Sequence, residues 1–241
     1  MFDHVTIRVG DRDASARFYT LALGEPTHDE ARFTEWREFG VASASPEKPV
    51  ARRLHVGFRA HDRGEVDRWW RRMTDAGYES DGDPGERPQY TASYYGAFVL
   101  DPDGNSAELV HHERTDPEQS LIDHLWLRTT SVEQAKRFYE TIGPVVGIGV
   151  RHDSPERVLF SDGVGSFSFV TGDSPTENVH MAFGVRDRAA VDAFHRTAIA
   201  AGYADNGAPG ERPEYHPGYY AAFVLDPDGH NVEAVFHDRR L

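Results

Sequence analysis

The octapeptide AFVLDPDG stands at 97–104 and returns unchanged at 222–229, 125 residues on. Its setting returns with it: PGERPQY and YYGAFVLDPDGNSAEL around the first copy answer PGERPEY and YYAAFVLDPDGHNVEA around the second. The tetrad DPDG suits a type I turn, with Asp at the first position, Pro presetting φ at the second and Gly at the fourth. A calcium loop would need many more oxygen ligands at set spacing. The turn therefore predicts a hairpin whose second strand carries a glutamate, Glu108 in one copy and Glu233 in the other.

The repeat runs through the whole chain. FDHVTIRV (2–9) answers IDHLWLRT (122–129), and RFY at 17–19 answers RFY at 137–139, both 120 residues on. LHVGF (54–58) answers VHMAF (179–183) at the offset of 125, so the extra residues fall between blocks, where loop length costs little. Two domains are expected, 1–112 and 121–241, joined by the polar linker ERTDPEQS at 113–120. Each divides again. Val5, Ile7 and Val9 alternate with His4, Thr6 and Arg8, the period of a strand with one buried face. A helix follows, capped by Asp11 and stopped at Gly24, and its counterpart opens on Ser131 and Gln134 at capping-box spacing. After short strands the order restarts, with Asp62 as cap and Ala76-Gly77 or Ala201-Gly202 as helix ends. Strand, helix and three strands, four times over, make an α+β fold.

The 241 residues carry a formal charge of −14, which argues against nucleic acid or an anionic membrane as partner. No apolar run is long enough to span a bilayer, and MFDHVTIRVG reads as a strand rather than a signal peptide. There is no cysteine, hence no disulfide or thiolate chemistry. A soluble, cytoplasmic protein is expected.

Residues that bind divalent metals recur at four aligned places: His4, His55, Glu108 and His112, then His124, His180, Glu233 and His237. A glutamate inside an apolar strand such as SAELV or NVEAV is costly unless paired or bound to a cation. Two histidines and one carboxylate form the facial triad that suits Fe(II), and Mn, Ni, Co or Zn could also take such a site. Taken half by half, the triads are His4/His55/Glu108 and His124/His180/Glu233. His112 and His237, near the domain ends, are expected to be exposed. His4, Thr6 and Arg8 share a strand face, as do His124, Trp126 and Arg128, so Arg8 and Arg128 would hold an anionic substrate group and Trp126 would stack on a flat one.

DHVTIRV, HVGF, AFVLDPDGNSAE and their repeats resemble the vicinal oxygen chelate superfamily, which includes glyoxalase I, type I extradiol dioxygenases and bleomycin-resistance proteins. The resemblance covers nearly the whole chain. It implies two tandem domains, each of two βαβββ modules curling a mixed sheet around a metal cavity, and often a homodimer. It implies a two-histidine, one-glutamate site of the dioxygenase type. Glyoxalase I adds a second carboxylate, which VASAS and FSFVT do not offer here. The extradiol signature is approached by His216, Phe223, Asp226, Pro227, Gly229 and Glu233, with Phe223 in place of its tyrosine. His216 stands where that family has an acid/base histidine, Tyr215 beside it could supply a hydroxyl, and Thr91 answers His216 in the first half. The activity implied is that of a dioxygenase or lyase acting on a substrate that chelates metal through vicinal oxygens. A non-catalytic protein that sequesters an antibiotic is the alternative.

Overall fold

A computed structural model describes residues 1–238, which form sixteen strands and four helices. The first half contains β1 (Phe2–Val9), α1 (Arg12–Leu23), β2 (His28–Glu30), β3 (Phe33–Trp36) and β4 (Phe39–Ser43). It continues with β5 (His55–Arg59), α2 (Arg63–Asp75), β6 (Ser80–Glu86), β7 (Tyr95–Leu100) and β8 (Ser106–His111). The second half repeats the order with β9 (Ile122–Thr129), α3 (Val132–Val146), β10 (Gly149–Ser154), β11 (Arg157–Ser161) and β12 (Ser166–Thr171). It ends in β13 (Val179–Gly184), α4 (Arg188–Ala200), β14 (Ala204–Glu211), β15 (Tyr219–Leu225) and β16 (Asn231–His237). The α+β fold of four βαβββ modules read from the repeats is the one observed. No helix among the described residues is long and apolar enough to cross a membrane.

The helices begin where short polar side chains satisfy their free N–H groups. Asp11 accepts from Ala14 N–H, Asp62 from Glu65 N–H, Ser131 from Gln134 N–H and Asp187 from Ala190 N–H. In the DPDG turns, Gly104 N–H donates to Asp101 O at 2.9 Å and Gly229 N–H to Asp226 O at 3.0 Å. Both glycines adopt the left-handed φ that such turns require, +81° and +84°. The first aspartate of each turn is buried and also accepts a hydroxyl at 3.0 Å, Tyr19 on Asp101 and Tyr139 on Asp226. These tyrosines end the two RFY repeats, so the turn fastens the first helix of each half to the last hairpin of that half. Around them pack Phe18, Phe39 and Phe58, or Phe138, Phe160 and Phe167, all fully buried. Each such side chain contributes about 1.5–3 kcal/mol by leaving water.

The chain forms two compact units. The N-terminal unit is Ile7–Leu127; the C-terminal unit takes Met1–Thr6 together with the chain from Arg128 onward. β1 and β9 therefore each begin in one unit and end in the other. In the N-terminal unit the strand order is β9-β5-β8-β7-β6, with β1-β4-β3-β2 beside the first helix. In the C-terminal unit it is β14-β15-β16-β13-β1, with β10-β11-β12-β9. Counted through β1 and β9, the strands make two eight-stranded mixed sheets, in which β5 runs parallel to β8 and β13 to β16.

Candidate metal centres

Strand register gathers three ligand-bearing side chains on one patch in each unit. In the N-terminal unit Gly57 on β5 lies beside Glu108 of β8 on one side and His124 of β9 on the other. His55, two residues earlier, projects from the same face. Gly57 has no Cβ to obstruct the imidazole; one added there would lie 2.6 Å from His124 Nδ1. The result is a tight triangle. Glu108 Oε2 lies 3.0 Å from His55 Nε2 and 3.3 Å from His124 Nε2, and the two nitrogens are 3.1 Å apart.

The C-terminal unit repeats the arrangement on β13, β16 and the start of β1. Glu233 Oε2 is 3.0 Å from His180 Nε2 and 3.6 Å from His4 Nε2, with 3.1 Å between the nitrogens. Both glutamates are buried, Glu108 at 0% and Glu233 at 1% relative exposure, where an isolated carboxylate could not persist.

Outer partners orient each ligand. Asp123 accepts from His124 Nδ1–H at 3.0 Å, and Asp3 from His4 Nδ1–H at 2.9 Å. Ser106 donates its hydroxyl to Asp81 at 2.7 Å and so is left to accept from His55 Nδ1–H at 3.1 Å. His180 Nδ1 meets the Asn231 carboxamide at 2.6 Å. Tyr94 donates to Glu108 Oε1 at 2.8 Å and Tyr219 to Glu233 Oε1 at 2.7 Å. One oxygen of each carboxylate is thereby occupied, and the other is turned to the histidines.

Carboxylates only accept, and with Nδ1 protonated a neutral imidazole offers a bare lone pair at Nε2. In the N-terminal unit three lone-pair atoms, His55 Nε2, His124 Nε2 and Glu108 Oε2, therefore face one another with no donor among them. Only an added cation reconciles them. Without a metal that cation is a proton. His124 is pushed up to about 10: burial opposes the charge, but hydrogen bonds to Asp123 and Glu108 outweigh it. Burial likewise opposes ionisation of Glu108, yet hydrogen bonds from His124 and His55 hold it down at about 2. Glu233 is lowered in the same way, against burial, chiefly by His180. Two imidazole nitrogens and one carboxylate oxygen, each braced from behind, also match a divalent-metal site. Each group, His55/Glu108/His124 and His4/His180/Glu233, could hold a metal ion.

The grouping corrects the triads read half by half. All six residues come together, but the opening-strand histidines change places: His4 joins His180 and Glu233, and His124 joins His55 and Glu108. The edge of β5 that a within-half triad would need for β1 is hydrogen-bonded to β9 instead.

Other predicted residues lie as follows. Trp126 stands opposite His55 in the β5–β9 ladder, its ring 6.3 Å from that of Tyr90. Arg8 reaches Ser43 O at 3.5 Å, and Arg128 is exposed. Tyr215 is 57% exposed and packs its ring 4.8 Å from Tyr219. His216 is exposed and bonds Pro217 O and His237. His112 and His237, expected in solvent, are instead partly buried and bond Asp123 at 3.2 Å and Asp3 at 2.9 Å. They project inward because they follow the buried glutamates on the same strand face. Asp3, Asp123, Tyr94 and Tyr219 support the candidate ligands from behind, and the sequence marks them only by repetition, as Asp-His at 3–4 and 123–124 and as paired tyrosines.

A family model described as the Glyoxalase/Bleomycin resistance protein/Dioxygenase superfamily matches residues 1–109 and again 121–234. Glyoxalase I from Zea mays is similar in structure, with a TM-score of 0.72 at 20% identity over 98% of this chain and 92% of that one. A "putative dioxygenase" from Bacillus subtilis subsp. subtilis str. 168 aligns with a TM-score of 0.68 at 13% identity, over 98% of this chain and 85% of that one. No curated protein matches by sequence.

Proposed function

The chain belongs to the Glyoxalase/Bleomycin resistance protein/Dioxygenase superfamily, and on that footing we propose that it is a divalent-metal-dependent enzyme acting on a small substrate with two neighbouring oxygens. The observation that carries this reading is, in each unit, a buried glutamate oxygen within 3.6 Å of two imidazole nitrogens, and in the N-terminal unit no proton donor stands among the three atoms. Fe(II) is the metal we favour for a two-histidine, one-carboxylate set, with Mn, Ni, Co and Zn as competitors. A bound divalent cation of this kind supplies Lewis acidity toward an enolate or catecholate.

The chain's own residues do the rest. His4, His180 and Glu233, or His55, Glu108 and His124, would hold the ion. Tyr94 and Tyr219 keep one carboxylate oxygen occupied so that the other stays aimed at the site. Asp3 and Asp123 fix the tautomer that leaves Nε2 free. Trp126 and Tyr90 would flank a flat substrate in the N-terminal unit. His216 is our choice for moving protons in the C-terminal unit, with Tyr215 lining its approach. The reaction class is an extradiol-type dioxygenation or a glyoxalase-like rearrangement.

The test is to load the protein with each metal in turn, measure the metal by mass spectrometry, and screen catechols and 2-oxoaldehyde–thiol adducts. We expect metal in both groups and turnover of one substrate class, with oxygen consumption marking dioxygenation. Failure to retain any divalent metal overturns the proposal, and so does tight substrate capture without turnover.

A further inference from the structure

The same lone-pair argument applies outside the metal groups, and it separates the two units. His237 Nε2 lies 2.9 Å from Asp3 Oδ2, and His216 Nδ1 lies 2.8 Å from the carbonyl oxygen of Pro217. Both partners only accept. Each imidazole must therefore carry its proton on that outward nitrogen. The two remaining nitrogens, His216 Nε2 and His237 Nδ1, then face each other at 2.9 Å across rings stacked at 5.1 Å. Two bare lone pairs at that distance repel, and one further proton between them makes a hydrogen bond. A metal would need more ligands, and neither histidine belongs to a group of three metal-binding residues among those described.

The N-terminal unit is built otherwise at the aligned places. Asp123 is approached by Arg59 Nε at 3.3 Å, and Arg59 is 4% exposed. Gly184 is the residue aligned with Arg59, and Thr91 the one aligned with His216. A Cβ on Gly184 would lie 3.5 Å from Asp3 Oδ2, so a larger side chain there would lean on the same carboxylate that His237 meets. His112, aligned with His237, also bonds its carboxylate, but its other nitrogen accepts from Arg114 N–H at 3.3 Å and needs no extra proton.

We infer that His216 and His237 share one proton beyond those of two neutral rings, a removable cation standing in the C-terminal unit where Arg59 stands as a permanent one in the N-terminal unit. His237 acts as a positioning residue: it ties the solvent-facing His216 to Asp3, which orients His4. The charged and titratable groups around the pair are Asp3 on β1, Tyr215 before β15, Tyr219 on β15, and Asp238 after β16, which Arg188 of α4 faces at 4.0 Å. The C-terminal unit can thus store and release a proton at this place beside its ligand set, where the N-terminal unit holds a guanidinium. That last consequence rests on the proposed function; the shared proton does not.

The experiment uses full-length, metal-free protein labelled with 15N at histidine. Long-range 1H–15N spectra at neutral pH report which ring nitrogens carry protons. Wild type should show three protonated nitrogens among the four of His216 and His237. In His216→Thr, which copies the N-terminal unit, His237 should lose the extra proton while the backbone spectrum stays folded. Two protonated nitrogens in wild type, or a His237 signal unchanged by His216→Thr, overturns the inference. No metal or substrate enters the measurement, so its result stands apart from the fate of the proposed activity.

Discussion

Gly57 lies opposite His124 in the β5–β9 ladder, and the imidazole occupies the space that a side chain on Gly57 would fill. Ala182 holds the aligned place in the C-terminal unit, so the two metal groups share a ligand set but not a packing solution.

Gly57→Ala should therefore push His124 out of its group. We expect loss of the metal bound in the N-terminal unit, with the C-terminal group retained, and overpacking that destabilises by about 1–3 kcal/mol. Metal content and the denaturant midpoint of the same sample check both parts. Full retention of metal would mean that the ladder relaxes around the added methyl.

Tyr94 and Tyr219 make matching tests of the carboxylate clamp. Tyr94→Phe leaves the buried Glu108 Oε1 without the hydroxyl that it accepts from at 2.8 Å. Metal affinity at that group should fall about 10–100-fold, as for other partners that orient a ligand. Calorimetric titration should show one weakened class of site in Tyr94→Phe or Tyr219→Phe, and two in the double variant.

Proton release should accompany metal binding. The folded, metal-free protein holds a proton on His124 up to about pH 10, against an ordinary imidazole value of 6.5. This raised value adds stability that is fully present below pH 6.5 and is lost as pH rises through about 10. Glu108 works in the opposite sense: its value of about 2, against 4.5, adds stability present above pH 4.5 and lost as pH falls toward 2. The metal-free protein should melt progressively lower at both extremes. Binding at pH 8 should expel the His124 proton, seen as a dependence of the binding heat on the buffer's ionisation enthalpy.

Asp101→Ala removes the acceptor for two backbone N–H groups and for the Tyr19 hydroxyl. We expect a loss of about 2–3 kcal/mol from the groups left unpaired, with Asp226→Ala behaving alike. Urea denaturation checks it. A change below about 0.5 kcal/mol, the level of an ordinary surface substitution, would show that the turn does not anchor the helix.

Much of this architecture was legible in the sequence because it is local. DPDG names its turn, period-two strands show one apolar face, and Asp11, Asp62 and Ser131 announce their helices. The six candidate ligands stood out for the same reason, since a glutamate in an apolar strand needs a partner wherever that strand lies. Their grouping was not. Which strand flanks β5 depends on pairing between distant segments, and the repeat leaves β1 and β9 with nearly the same pattern. The supports were hidden differently. Tyr94 and Tyr219 each open a pair of adjacent tyrosines, and only the register of β7 on β8 and β15 on β16 sets their hydroxyls against the glutamates. Arg59 and Gly184 differ at one aligned place, and the meaning of that difference appears only once Asp123 and Asp3 stand beside them.

The central claim is that each ligand group draws its histidines from both halves of the chain. The most direct measurement is the metal stoichiometry of the double variant His4→Ala/His180→Ala. These two residues belong to one group in the structure, and to two different triads if the halves are read separately. We predict that the variant keeps one of the two metal equivalents, bound with wild-type affinity by His55, Glu108 and His124. Loss of both equivalents would contradict the account.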